Sequence, residues 1–241
     1  MPNTYFQFKQ FIVHHDRCAM KVTTDSCFFG AWASREIQTS AIQIEKVLDI
    51  GTGTGLLSLM IAQENKASID AVEIDADAAG QAEENISSSP WSEKIKVYNQ
   101  DILNFHPGYK YDCIICNPPF YENELNSTEQ RKNIAHHSSS ILISQVLNKI
   151  KNNLKEDGIF FLMYPAKRQK EVNDLFEKDH HYFIKKIILK QSVNHAGFRI
   201  IAMATNKKMN EVGTSEISIW NEKQQYTSEF IDLLKDYYLY L

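Results

Sequence analysis

Val47-Leu48-Asp49-Ile50-Gly51-Thr52-Gly53-Thr54-Gly55 is the stretch that decides the fold. Its first half is a short apolar run that reads as a buried strand, and Leu56 to Gln63 directly after it reads as a helix. The turn between them carries glycine at alternate positions, which lets a ligand approach the backbone closely at the carboxyl edge of a sheet. Register narrows the ligand. A dinucleotide fingerprint needs G-x-G-x-x-G, but its last position is Leu56 counted from Gly51 and Ser58 counted from Gly53. A P-loop fails as well, because no Lys-Ser or Lys-Thr follows.

Outward from this unit the chain alternates strand and helix. Strands are expected at Lys46 to Ile50, Ile69 to Ile74, Ile95 to Tyr98, Tyr111 to Cys116 and Ile159 to Tyr164, with helices at Leu56 to Gln63, Ala76 to Ile86 and Ser139 to Leu154. Strands separated by helices give a parallel, doubly wound sheet. Phe183 to Lys190 and Phe198 to Thr205 break the rhythm. They are joined through Asn194-His195-Ala196-Gly197, a connection short enough for an antiparallel hairpin at the sheet edge. The expectation is a single α/β domain over residues 1–241, with an N-terminal extension to residue 45, a seven-stranded core sheet over 46–206 and a C-terminal extension over 207–241. The aromatic-rich segment Phe6 to Ala33 is read as packing against the sheet. The tail, with Phe230, Leu233, Leu234, Tyr237, Tyr238 and Leu241, is read as an amphipathic helix docked on the domain.

Composition excludes several classes. Lys and Arg total 26 against 30 Asp and Glu, so the chain is not a globally basic polyanion binder, and any nucleic acid contact needs a local basic face. No apolar run approaches the ~20 residues of a membrane span, and Met1-Pro2-Asn3-Thr4 is too polar to open a secretion signal. Cys18, Cys27, Cys113 and Cys116 fit a reducing, cytoplasmic compartment. Cys113 and Cys116 have C-x-x-C spacing, but positions three apart on a strand face opposite sides of the sheet, so they are read as buried thiols and no metal site is expected.

The fourth strand runs into Asn117-Pro118-Pro119-Phe120. Two prolines stop the pairing and stiffen the chain, leaving the carbonyls of Asn117 and Pro118 outside any ladder. With the Asn117 side chain and the flat face of Phe120 they suit a planar group that carries an NH2. An ordinary strand exit would read the same way, and the loop upstream decides between the two.

That loop fits D-x-G-x-G-x-G, and so resembles the loop of S-adenosylmethionine-dependent methyltransferases. The resemblance implies S-adenosyl-L-methionine as cofactor, held by Gly51, Thr52, Gly53 and Gly55, with Asp49 toward its cationic end. Glu73, at the end of Ala71-Val72-Glu73-Ile74-Asp75, is placed to accept from both ribose hydroxyls, with Ile74 beside it, while Asp75 is read as the cap of the next helix. In Gln100-Asp101-Ile102 the acid suits the adenine amino group and Ile102 the ring face. This order, glycine loop, acid, acid, NPPF, resembles the amino-methyltransferases of adenine N6 and of glutamine side chains. There, Asn117, Pro118, Pro119 and Phe120 would form the catalytic motif.

Phe6-Gln7-Phe8-Lys9-Gln10-Phe11, Asp16-Arg17-Cys18-Ala19-Met20-Lys21-Val22, Thr24-Asp25 and Gly30-Ala31-Trp32 narrow the resemblance, with Asn85, Pro90-Trp91, Tyr121, Tyr226 and Tyr237-Tyr238-Leu239. They are similar to the bacterial tRNA1(Val) adenine-37 N6-methyltransferases over nearly the whole chain. The resemblance implies tRNA as partner, a monomeric enzyme, and Lys21 and Thr24 at the cofactor lip. Thr23 and Ser26 stand where the family pattern MKVGTDG has glycine, and His136-His137 stands where an arginine-histidine pair is commoner. Adjacent helix positions diverge, so this histidine pair is read as facing surface or RNA. A positive face is expected from Lys9, Arg17 and the lysines near Lys167. Two other readings are a protein glutamine N5-methyltransferase, which would carry a helical domain before the first strand, and a noncatalytic RNA-binding module, against which Asp49, Glu73 and Asn117 argue.

Overall fold

Apolar runs separated by helices build one sheet covered on both faces. A computed structural model of the chain describes residues 3–118 and 143–241. A two-stranded antiparallel ribbon, β1 (Tyr5–Gln7) and β2 (Ile12–His14), precedes helix α1 (Thr24–Gln38). There follow β3 (Lys46–Ile50), α2 (Leu56–Glu64), β4 (Ser68–Glu73), α3 (Ala76–Ser87), β5 (Ile95–Asn99) and β6 (Tyr111–Cys116). Beyond them lie helix α4, described over 143–153, then β7 (Leu154–Pro165), α5 (Gln169–Asp179), β8 (Tyr182–Ser192), β9 (Gly197–Thr205), β10 (Gly213–Trp220) and α6 (Ser228–Leu234).

The main sheet has the order β10-β8-β9-β7-β6-β3-β4-β5. From β7 to β5 all pairs are parallel, while β9 runs antiparallel between β7 and β8 as the expected hairpin. All seven expected strands are present. An eighth, β10, comes from the segment read as a C-terminal extension and pairs parallel with β8. Leu154, assigned from sequence to the end of a helix, instead opens β7 opposite Tyr111. Ile74 lies past the end of β4 and is 68% exposed.

Two hydrophobic cores sandwich the sheet. One holds α1, α2 and α3 with the aromatic N-terminal segment and α6, and the other holds α4 and α5. Cys113 lies in the first core and Cys116 in the second, on opposite faces as their spacing requires. The tail docks as expected, but its helix ends at Leu234. Tyr237 and Tyr238 turn back toward the N-terminus, where Lys9 N donates to Tyr237 O at 2.8 Å and Phe8 bridges Tyr238. Among the described residues no helix is long and apolar enough to cross a membrane.

Candidate active site

The strand order reverses between β3 and β6: the chain goes from β3 to β4 and β5 on one side, then to β6 on the other. Crevices at such switch points, outside the carboxyl ends of the strands, are where open α/β sheets bind ligands. Ile50 and Cys116 are register partners at this boundary. The glycine loop and Asn117 therefore leave the sheet side by side.

Gly51 and Gly53 have φ of 69° and 55°, in the left-handed region. A Cβ built on either would meet nothing within 4 Å, so the loop turns a bare, open face outward. From behind, Gly51 N and Thr52 N donate to Val72 O at 2.8 and 3.1 Å, and Gly53 N donates to Glu73 Oε2 at 2.9 Å. Gly55 caps α2, so the helix begins where the glycine turn ends.

Asp49 is fully buried beneath this loop. Thr52 Oγ1 and Ser58 Oγ both donate to its Oδ2, at 2.6 and 2.7 Å, and Oδ1 has no partner. Burial pushes the carboxyl up to about 6, against the pull of the two hydroxyls. An orphaned, buried acceptor under a bare glycine turn fits a ligand with a cationic end. Glu73 is also nearly buried, and its Oε1 accepts from Asp75 N at 3.0 Å, leaving lone pairs on both oxygens for a diol. Asp75 caps α3 through Ala78 N at 2.9 Å, as its position in sequence implied.

Asp101 Oδ1 accepts from Leu103 N at 2.8 Å and caps a single turn, Ile102–Asn104. Asn99, at the end of β5, ties this loop to the end of β4 by donating to Glu73 O and Ile74 O at 3.0 and 3.2 Å. The exposed Ile74 and half-buried Ile102 leave apolar surface available for a flat ring. Of the amine-binding motif, Asn117 is half-buried and Pro118 buried just past β6. Pro119 and Phe120, like Tyr121 and the pair His136-His137, lie outside the described residues.

Lys21 is exposed, and Thr24 is the first residue of α1. Thr23 is extended, with φ −122°, so its side chain causes no backbone strain where the family pattern has glycine. Ser26 Oγ accepts from Thr23 N at 3.1 Å and stabilises the start of the helix. Asp25 pairs with Arg199 at 2.8 Å and fastens this start to β9.

The expected basic face is only partly built. Lys9 donates to the backbone carbonyls of Lys235 and Leu241, and Arg17 pairs with Glu84. Arg168, beside Lys167, is buried and forked onto Glu171 at 2.8 and 2.6 Å, while Lys167 is exposed. Burying a guanidinium requires a hydrogen-bonded counter-charge, and the carboxylate one turn away on α5 supplies it. Residues given no site role from sequence also join the site. Ser58 stands where a dinucleotide motif would have glycine and instead holds Asp49. Asn85 on α3 donates to Thr54 O in the loop at 2.9 Å, and Gln81, one turn earlier, holds Asp16 and Arg17 of the N-terminal segment.

A doubly wound sheet, an open glycine turn over a buried acid, and further acids after the next two strands define a class I S-adenosylmethionine-dependent methyltransferase. The family model described as "Methyltransferase small domain" matches residues 35–180. The chain belongs to the tRNA1(Val) (adenine(37)-N6)-methyltransferase family. It is 37% identical over 245 residues to the member from Bacteroides thetaiotaomicron, with all of both chains covered. To that from Dyadobacter fermentans it is 40% identical over 245 residues, covering 98% of each. Solved structures share the fold: a ribosomal protein L11 methylase from Lactobacillus delbrueckii (TM-score 0.57, 16% identity, 81% of this chain and 84% of that one), and magnesium protoporphyrin IX methyltransferase from Synechocystis with bound S-adenosylmethionine (TM-score 0.51, 16%, 75% and 76%).

Proposed function

We propose that this protein methylates N6 of adenine 37 in tRNA1(Val), as the names of its full-length relatives state for them. The observation that carries the reading is the pairing of Ile50 with Cys116, which sets the cofactor loop beside Asn117. S-adenosylmethionine, when bound, supplies a methyl group on a sulfonium. Gly51 and Gly53 give it backbone clearance, Asp49 faces its amino-acid end, Glu73 holds the ribose, and Asp101 with Ile74 and Ile102 takes the adenine. Lys21 and Thr24 lie at the lip.

The amine needs help because its lone pair is delocalised into the purine ring. The Asn117 side chain and the Pro118 carbonyl accept its two hydrogens, draw the nitrogen toward tetrahedral geometry and free the lone pair for in-line attack. By the family motif Pro119 would keep the segment stiff, and Phe120 would stack on a base turned out of its loop. Four free thiols, three of them fully buried, support a cytoplasmic setting.

The test separates the two halves of the site. Asn117→Ala abolishes transfer to tRNA while cofactor affinity stays within about threefold, because Asn117 acts on the nucleophile alone. Loss of cofactor binding in that variant overturns the role given to Asn117. Methyl transfer to a glutamine peptide and not to tRNA overturns the substrate.

A further inference from the structure

Asn85 sits inside α3, 2% exposed, and spends its side chain on backbone from two distant segments. Its Oδ1 accepts from His14 N at 2.9 Å, and its Nδ2 donates to His14 O and to Thr54 O, each at 2.9 Å. Thr54 is the residue between Gly53 and Gly55, so one amide holds a glycine-loop peptide and the end of β2 together. One helical turn earlier, Gln81, also 2% exposed, accepts from Arg17 N at 3.0 Å and donates to Asp16 Oδ1 at 2.8 Å. Residues 14–17 are thus laid along α3 by two buried amides on the same face.

The segment continues to Cys18, which feels the charges of Glu73 and Asp75. The Cys18 thiol is pushed up to about 11, first by burial and then by the carboxylates of Glu73 and Asp75. The chain that Asn85 and Gln81 pin is held against Thr54, one residue from the Gly53 N–Glu73 Oε2 bond, as a strap.

We infer that Asn85 is a positioning residue for the cofactor, coupling the glycine loop to the His14–Cys18 strap and making that strap the outer wall of the cofactor site. The inference rests on reading the loop as that site. Through Thr54 the amide fixes the residue that follows Gly53, a glycine whose own surroundings leave open space. Through His14 it sets where the strap meets the loop.

Cys18 serves as the reporter, because Cys27, Cys113 and Cys116 are fully buried and shielded from reagents in the folded chain. In the unaltered protein at pH 8.5, S-adenosylhomocysteine slows N-ethylmaleimide labelling of Cys18, read by peptide mass, by about tenfold or more. Asn85→Asp keeps the shape and the acceptor for His14 N but removes both donations. It speeds Cys18 labelling, weakens S-adenosylhomocysteine about tenfold, and raises KM for the cofactor while kcat falls less than about threefold. Gln81→Glu loosens the strap without touching Thr54, so it speeds labelling with a smaller loss of affinity.

Unprotected Cys18 in the unaltered protein overturns the inference even if Asn85→Asp fails to fold. So does an Asn85→Asp protein whose kcat and melting temperature fall while KM is unchanged. Gly53→Val separates the two layers. If it abolishes S-adenosylhomocysteine binding while Asn85→Asp leaves it intact, only the coupling fails; if it too binds normally, the reading of the loop fails.

Discussion

Asp49 is a carboxyl whose protein environment favours the neutral form and whose expected ligand favours the charged one. Its ordinary value of 3.8 rises to about 6 in the folded chain. Between those values the folded protein keeps a proton that the unfolded chain has lost, so stability falls as pH rises through the window. The full cost, about 3 kcal/mol, is present above pH 6. Asp49→Asn removes that slope in denaturant unfolding of the ligand-free protein between pH 4 and 7. The same residue gives affinity the opposite trend: S-adenosylhomocysteine binding, followed by calorimetry, is flat above pH 7 and weakens as pH drops below about 6, where the carboxyl offers no charge to the ligand's ammonium. A flat profile to pH 5 would remove Asp49 from the amino-acid end. Asp49, Glu73 and Asp75 were legible in the sequence because each is fixed by its place at a strand end. Ser58 and Asn85 were not, since their function lies in partners 9 and 31 positions away that only the folded chain brings near.

At the level of elements, α1 was hidden for a physical reason. Ser26 through Ser34 are all buried, so the helix has no polar face along that run and shows no 3.6-residue stripe. It is buried because it lies against α2, and Gly30 is where the two helices meet. A Cβ there would stand 2.6 Å from Met60 Sδ and 3.3 Å from Leu57 Cδ2. Gly30→Ala therefore costs about 1–3 kcal/mol despite alanine's better helix propensity, measured as a lower urea midpoint at unchanged slope. A stabilised variant would show that the Met60 side chain yields freely. β10 escaped notice for the converse reason. It is a sheet edge with its first residues exposed, and Gly213-Thr214-Ser215-Glu216 carries no apolar alternation.

For the whole molecule, a net charge of −4 must coexist with the polyanionic substrate proposed above. Many cations already have carboxylates: Lys155 with Asp112, Lys185 with Glu36, Lys190 with Glu216, Lys207 with Asp157. Binding of tRNA then draws on a limited set of free charges and on breaking exposed pairs, each worth about 0–1 kcal/mol. Affinity for the anticodon stem-loop falls steeply between 50 and 200 mM salt, about tenfold or more by filter binding, whereas S-adenosylhomocysteine affinity changes little. A salt-insensitive complex would point to a protein substrate. The doubly wound sheet and the glycine turn after its first strand could be read from local patterns, but the strand order that creates the switch point and the charge pairing could not, because partners such as Lys185 and Glu36 lie 149 residues apart.

The last residues of the chain close over some of the first. Phe8 and Lys9 find backbone partners at Tyr238 and Tyr237, and Tyr237 Oη donates to Met60 O on α2 at 3.1 Å. The same tail covers both α2 and the N-terminal ribbon, so removing residues 228–241 would uncover one side of each at once.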